Sequence, residues 1–291
     1  MTGPRTSRRC GPTATVAESG ALRQRIHDEP GFLLHTVPWR ETSLIAEVLS
    51  RHHGRVALVA KGARRARSGL RAVLLGFQPL RLAWSGRGEL RNLTAAEWVG
   101  GFGAPQAEGL MCAFYLNELL MRLLPRDDPH PQLYDAYQQA LLELGELDTV
   151  AAQARPVRAE REECLRRFEW ILLRESGYAP DLQHDAEGEP TRGEAWYRWS
   201  PEGGFRIAEP GATATSHPDS HAGALGPEAV SGAALQGLAN GVLDSDGVRR
   251  QAKRLTRSIL GYYLEGKALK TRQLLRELQA HDPGRSEDAE S

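Results

Sequence analysis

The chain reads as an α+β protein in which a small five-stranded barrel precedes an α-helical domain carrying a small irregular insertion. Three observations predict this. Five short alternating apolar runs, parted by turn residues and lacking amphipathic helices, lie between Phe32 and Trp98. Three long stretches with apolar residues at helical spacing follow them. An acidic stretch rich in Gly, Pro and Ser then separates these from two last helical patterns. With 291 residues, 41% of them hydrophobic and 25% charged, the chain can bury a large core across two or three domains.

Residues 1–28 lack periodicity and read as a disordered tail, with order beginning near Gly31. The first strand alternates Phe32, Leu34 and Thr36 with Leu33, His35 and Val37, and stops at Pro38. Ser43 to Leu49 is a second strand, and the turn His52-His53-Gly54-Arg55 returns it as a third, Arg55 to Ala60. Phe77 to Trp84, broken near Pro79, is a fourth; Ser85-Gly86-Arg87-Gly88 leads into a fifth, Glu89 to Trp98. Five strands of this length suggest an oligonucleotide/oligosaccharide-binding barrel (OB-fold) over residues 29–103, a fold that offers one face and two loops to single strands.

Residues 104–177 form the first part of the helical domain. Helices are predicted from Glu108 to Leu124, stopped by Pro125, from Gln132 to Leu147, and from Glu162 to Ser176 with Gly177 as its cap. Residues 178–232 are irregular, with a two-stranded ribbon predicted at Ala195–Trp199 and Phe205–Ala208 and a flexible loop from Pro210 to Pro227. Residues 233–280 complete the helical domain. Gly247 to Tyr263 sets Ala252, Leu255, Ile259 and Tyr262 on one face and Arg250, Lys253, Arg254 and Arg257 on the other. Leu269 to Leu278 is a last helix with Thr271 as N-cap, and 281–291 is a second disordered tail.

Charge is segregated although the formal net charge is zero. Residues 48–88 carry nine Lys or Arg and no acid; residues 249–276 carry nine against Glu265 alone. Residues 99–248 carry 11 bases against 24 acids. The stretch GRVALVAKGARRARSGLR (54–71) passes from an apolar strand into a cationic loop with no acid nearby in sequence to neutralise it. Such a stretch suits phosphates, whereas most charge runs are simply solvated faces. Arg55, Lys61, Arg64, Arg65, Arg67 and Arg71, with Arg250, Lys253, Arg254, Arg257, Lys270 and Arg272, are the candidate residues for binding nucleic-acid phosphates. Trp39 and Trp84 edge the barrel, either stacking on bases or packing in the core.

Signs of bond-making chemistry are few. No Walker loop, dinucleotide fingerprint or nucleophile elbow occurs, and Glu162-Glu163 and Asp127-Asp128 read as surface acids. His52-His53 and His184-Asp185 lack further metal ligands, and no Cys follows Cys164 to build a four-cysteine zinc site. We therefore expect no catalytic site, no metal and no cofactor. Three unpaired cysteines, no apolar run of about 18 residues and no secretory h-region point to a cytoplasmic protein.

GFLLHTVPWRETSL (31–44), GRVALVAKGARRARS (54–68) and SGRGELRNLTAAEW (85–98) resemble the N-terminal domain of the bacterial RecO family of DNA repair proteins. FYLNELLMRLLPRDDPHPQLYDAY (114–137), RRFEWILLRESGYAPDL (166–182) and RLTRSILGYYLEGKALKTRQLLREL (254–278) continue the resemblance in family order. It implies an OB-fold barrel before a helical domain and a nucleoid-associated recombination mediator. Such a mediator binds single- and double-stranded DNA, anneals complementary strands, and works with RecR and RecF to load RecA. It also implies contact with the acidic C-terminal tail of single-stranded DNA-binding protein, for which Arg122, Arg126, Arg166 or Arg167 could supply a basic pocket. Many relatives carry paired cysteines of a zinc site after the helix ending near Gly177; this chain has none there and resembles the zinc-free branch. The alternative readings are a protein–protein adaptor whose helical domain binds an acidic peptide, and an RNA-binding module.

Overall fold

The computed structural model describes residues 25–100, 103–152, 157–208, 229–271 and 273–274. Its first unit is an OB-like barrel of β1 (Arg25–Trp39), β2 (Ser43–Ser50), β3 (Gly54–Ala60), β4 (Pro79–Ser85) and β5 (Leu90–Trp98). The ring runs β1-β2-β3-β5-β4 and closes where β4 pairs back on β1. Its shortest seam is the parallel β3–β5 pairing, Ala57↔Leu90 to Val59↔Asn92. A five-residue helix, α1 (Gly69–Val73), lies in the basic loop where we expected no helix.

β1 starts at Arg25, six residues ahead of Gly31, because its first residues pair with β4, Arg25 against Ser85 and Ile26 against Trp84. Its alternation is also masked. Phe32, Leu33 and Leu34 are all buried, Leu33 in the barrel core and Phe32 and Leu34 against the helices. A strand covered on both faces shows a continuous apolar run. Trp84, a candidate base-stacking residue, belongs to the barrel core at 2% exposure, with His53 edge-on at 5.3 Å.

The helical domain comprises α2 (Ala107–Leu123), α3 (Pro131–Ala151), α4 (Arg158–Glu175), α5 (Gly232–Asn240) and α6 (Asp246–Tyr263). Its core continues into the barrel: the Phe32 ring meets Tyr134 at 5.3 Å and Tyr137 at 5.2 Å, and Asn117 Nδ2 donates to the Leu34 carbonyl at 2.8 Å. Between α4 and α5, β6 (Trp196–Ser200) and β7 (Gly204–Ile207) form the expected ribbon. A third strand, β8 (Ala229–Ser231), extends it to the order β7-β6-β8. It escapes notice in sequence because three residues show no period.

Residues 178–208 are held by packing and by hydrogen bonds. Tyr197, Phe205 and Leu182 are buried; Thr191 Oγ1 donates to Leu182 O at 2.8 Å, and the Arg192 amide to the Tyr197 hydroxyl at 2.8 Å. The expected loop 210–227 and the expected tails up to residue 24 and from 281 lie outside the described residues. Burial pushes the Cys112 thiol up to about 11 and that of Cys164 to about 12, so neither is a ready thiolate. No helix is long and apolar enough to cross a membrane among the described residues.

Candidate nucleic-acid interface

β3 divides the first basic island in two. Seven extended residues span roughly 20 Å, so the two ends of the strand meet different neighbours. At its start, Arg55 is half-buried: Nε donates to Leu124 O at 3.0 Å and Nη1 reaches Glu47 at 3.3 Å. Arg126 joins the same Glu47 carboxylate, and Arg51 pairs with Asp135 of α3 at 2.8 Å. Burial, ahead of the neighbouring charges, lowers the pKa of the Arg55 guanidinium. Arg55 therefore belongs to the seam between barrel and helices, not to an exposed DNA face. Sequence proximity hid this because the neutralising acids lie on β2 and α3.

The far end of β3 is different. Lys61, Arg64, Arg65, Arg67 and Arg71 are all exposed, and none of the five forms an ion pair among the described residues. The loop beyond β3 folds against the β1–β2 turn: the Arg64 amide donates to Thr42 O at 2.9 Å, and Nη1 of Arg64 donates to Arg40 O and Glu41 O at 3.3 Å each. Arg64 thus ties the two loops together, leaving Lys61 and Arg65 to face solvent. Between the loops lies a concavity of about 330 Å³ lined by Trp39, Arg40, Thr42, Val59, Lys61 and Arg65 among others. Trp39 is 38% exposed there, with the Arg40 guanidinium 5.9 Å from its ring centroid. Three cations around an accessible indole can hold phosphates while a base stacks, a contact worth about 1–3 kcal/mol per base.

Arg40 went unnoticed because it is separated from Lys61 by two strands in sequence. Only the antiparallel β2–β3 pairing, Leu44 against Ala60, brings the two loops to one rim.

On α6, Arg250, Arg254 and Arg257 are exposed as expected. Lys253 is only partly exposed, and its Nζ pairs with Glu162 of α4 at 2.7 Å. The helix also begins one residue earlier than predicted, and so contains an acid, Asp246, which pairs with Arg249. Tyr262, predicted on the apolar face, is 53% exposed and stands edge-on to Trp199. Lys270 presents an exposed side chain, and Arg272 lies outside the described residues.

Family models for the N- and C-terminal parts of recombination protein O match residues 25–102 and 105–273. The chain is 46% identical over 260 residues to the DNA repair protein RecO of an Azoarcus species, covering 89% of this chain and 98% of that protein. It is 45% identical over 258 residues to that of Aromatoleum aromaticum, with 88% and 98% covered. Against the RecO of Ralstonia nicotianae the identity is 43% over 255 residues, covering 88% and 86%. The chain belongs to the RecO family.

In this RecO-family chain the four arginines read as an acidic-tail pocket all have partners inside the molecule. Arg166 is 3% exposed and holds the fully buried Glu169, which also accepts from the Tyr115 hydroxyl. Arg126 serves the Glu47 seam, and Arg167 pairs with Glu143 at 2.6 Å. Arg122 pairs with Glu118 at 2.6 Å and donates to the carbonyls of Lys267 and Ala268. They are scattered through the domain, and at least Arg166 is closed to any peptide.

Glu118 secures the C-terminal segment to α2. Its carboxylate accepts from the Lys270 amide at 2.9 Å, the Thr271 amide at 2.9 Å and the Thr271 hydroxyl at 2.7 Å. Lys270 and Thr271 are helical, so Thr271 is not the N-cap; a carboxylate distant in sequence fills that role. Burial acts to raise the Glu118 carboxyl, but these hydrogen bonds and Arg122 outweigh it and hold the group below its ordinary 4.5. A depressed carboxylate adds stability that is complete above the unfolded value and drains away as pH falls through the folded one. Amide-exchange protection at Lys270 and Thr271 is therefore expected to persist at neutral pH and to fade in acid below the ordinary 4.5. Glu118→Gln should show weaker protection with no such acid step; an unchanged acid step in that variant would exclude Glu118 as its source.

Proposed function

We propose that this chain is a DNA repair recombination mediator that binds single- and double-stranded DNA and anneals complementary strands. The reading is supported by its membership of a family whose relatives are named DNA repair protein RecO. The observation that carries it is the rim of the barrel, where Lys61 and Arg65 join Arg40 around the exposed Trp39. Backbone contacts of this kind carry no sequence information, so complementary strands can meet while the protein remains free to leave. Single-stranded DNA-binding protein, RecR and RecF are its proposed partners, with RecA the recipient of the prepared strand.

The test is strand annealing on complementary oligonucleotides coated with single-stranded DNA-binding protein, without ATP or metal. The chain is expected to accelerate annealing and to lose affinity steeply with salt, with a log–log slope of about −0.7 for each phosphate neutralised on single strands. Binding to the coating protein's tail without any annealing would favour the adaptor reading instead.

A further inference from the structure

The sheet β7-β6-β8 has one face in the core. Tyr197, Trp199 and Phe205 point inward and are at most 7% exposed. The outward positions include Trp196 and Arg198 on the central strand β6 and Arg206 on the edge strand β7. Arg198 and Arg206 are directly opposite one another in the antiparallel register, so two guanidinium groups leave the sheet side by side. Like charges placed opposite each other destabilise a sheet. No acid occurs on β6 or β7, and among the described residues neither arginine forms an ion pair. Glu194 lies in the turn before β6 and Glu202 in the turn between β6 and β7. Trp196, two residues before Arg198 and hence on the same face roughly 7 Å away, is 47% exposed. An outward face that sets repelling cations beside a half-exposed indole matches a ligand offering both negative charge and flat rings.

We propose that this face is a second strand-binding platform, on which Trp196 stacks on a base while Arg198 and Arg206 share a backbone phosphate of single-stranded nucleic acid. The inference rests on the nucleic-acid reading above but locates a surface apart from the barrel rim, on an element the basic islands do not include. A phosphate between the two guanidiniums replaces their repulsion with two charge-assisted contacts. Two separate strand-binding surfaces would let one chain hold two strands, as annealing requires.

The experiment uses the full chain and a thymidine oligonucleotide carrying 5-iodo-deoxyuridine, photocrosslinked and mapped by peptide mass. Crosslinks are expected at both Trp39 and Trp196, and Trp196→Phe should retain binding that Trp196→Leu weakens. The double variant Arg198→Gln/Arg206→Gln should bind single strands about three- to tenfold more weakly. Its salt slope should shrink by about 0.7, the single-strand value for the one phosphate the pair shares. Relief of the repulsion should leave its melting temperature equal or higher, a combination that a merely structural role for the pair does not produce. Crosslinks confined to the Trp39 peptide, with salt slopes that superpose, overturn the platform and leave the barrel reading standing. Absence of single-strand binding anywhere overturns both. A loss of polyglutamate binding in the double variant, with DNA binding unchanged, overturns it in favour of an acidic protein partner.

Discussion

Gly54→Ala is expected to destabilise the protein by about 4 kcal/mol. Gly54 sits at φ +68°, where a side chain costs about 1–3 kcal/mol. An added Cβ would stand 2.1 Å from the Asp128 carbonyl oxygen, a backbone atom in the segment joining α2 to α3. Relief requires moving that segment, and overpacking of this kind costs typically about 1–3 kcal/mol more. The segment is anchored twice at the residue beside the contact: the Asp127 amide donates to Arg55 O at 3.0 Å, and the Asp127 carboxylate pairs with Arg91 at 2.6 Å. The strain therefore falls on the seam between barrel and helices, and urea unfolding should show it as a lower midpoint. Gly69→Ala is the control, because nothing lies within 4 Å of its added Cβ. That change should be neutral or stabilising by up to about 1 kcal/mol. A Gly54→Ala midpoint matching that of Gly69→Ala would show that the seam yields easily.

The double reversal Lys61→Glu/Arg65→Glu is expected to reduce single-strand affinity by on the order of a hundredfold at low salt. Charge-assisted contacts are worth about 1.5–3 kcal/mol each, and 1.4 kcal/mol is a factor of ten. The salt slope should flatten by about 1.4 for two lost phosphates. Both side chains are exposed and make no ion pair among the described residues, so the unfolding midpoint should stay within about 0.5 kcal/mol of the parent. Reversal of Arg64 and Arg65 would be a less clean experiment, since Arg64 donates to the carbonyls of the β1–β2 turn and its loss also disturbs the rim. Parental affinity in the double reversal would remove the barrel rim from the DNA site and with it the main support for annealing there.

Both variants concern features that the sequence displays only in part. Gly54 is visible as the turn glycine of a hairpin, but the Asp128 carbonyl against it is set by packing between elements more than seventy residues apart. The cations of the first island are plain in sequence, yet their sorting is not. Arg55 on β3 and Lys61 just beyond its end lie six residues apart, and one faces the helical domain while the other faces solvent.

Periodicity and turn residues alone determined the five barrel strands, the long helices and the β6–β7 ribbon, because those signals arise from side chains within a few residues of one another. They also determined the charge islands, which are a matter of composition. What only the tertiary structure decided is which charges remain available. Glu47, Asp135 and Glu162 neutralise Arg55, Arg51 and Lys253 from other elements, and Arg122, Arg126, Arg166 and Arg167 are each engaged inside the fold. An ion pair depends on a few ångströms in space, a distance that chain separation does not encode. Burial, in the same way, placed Trp84 in the core and left Trp39 on the rim, although both are tryptophans at the end of a strand.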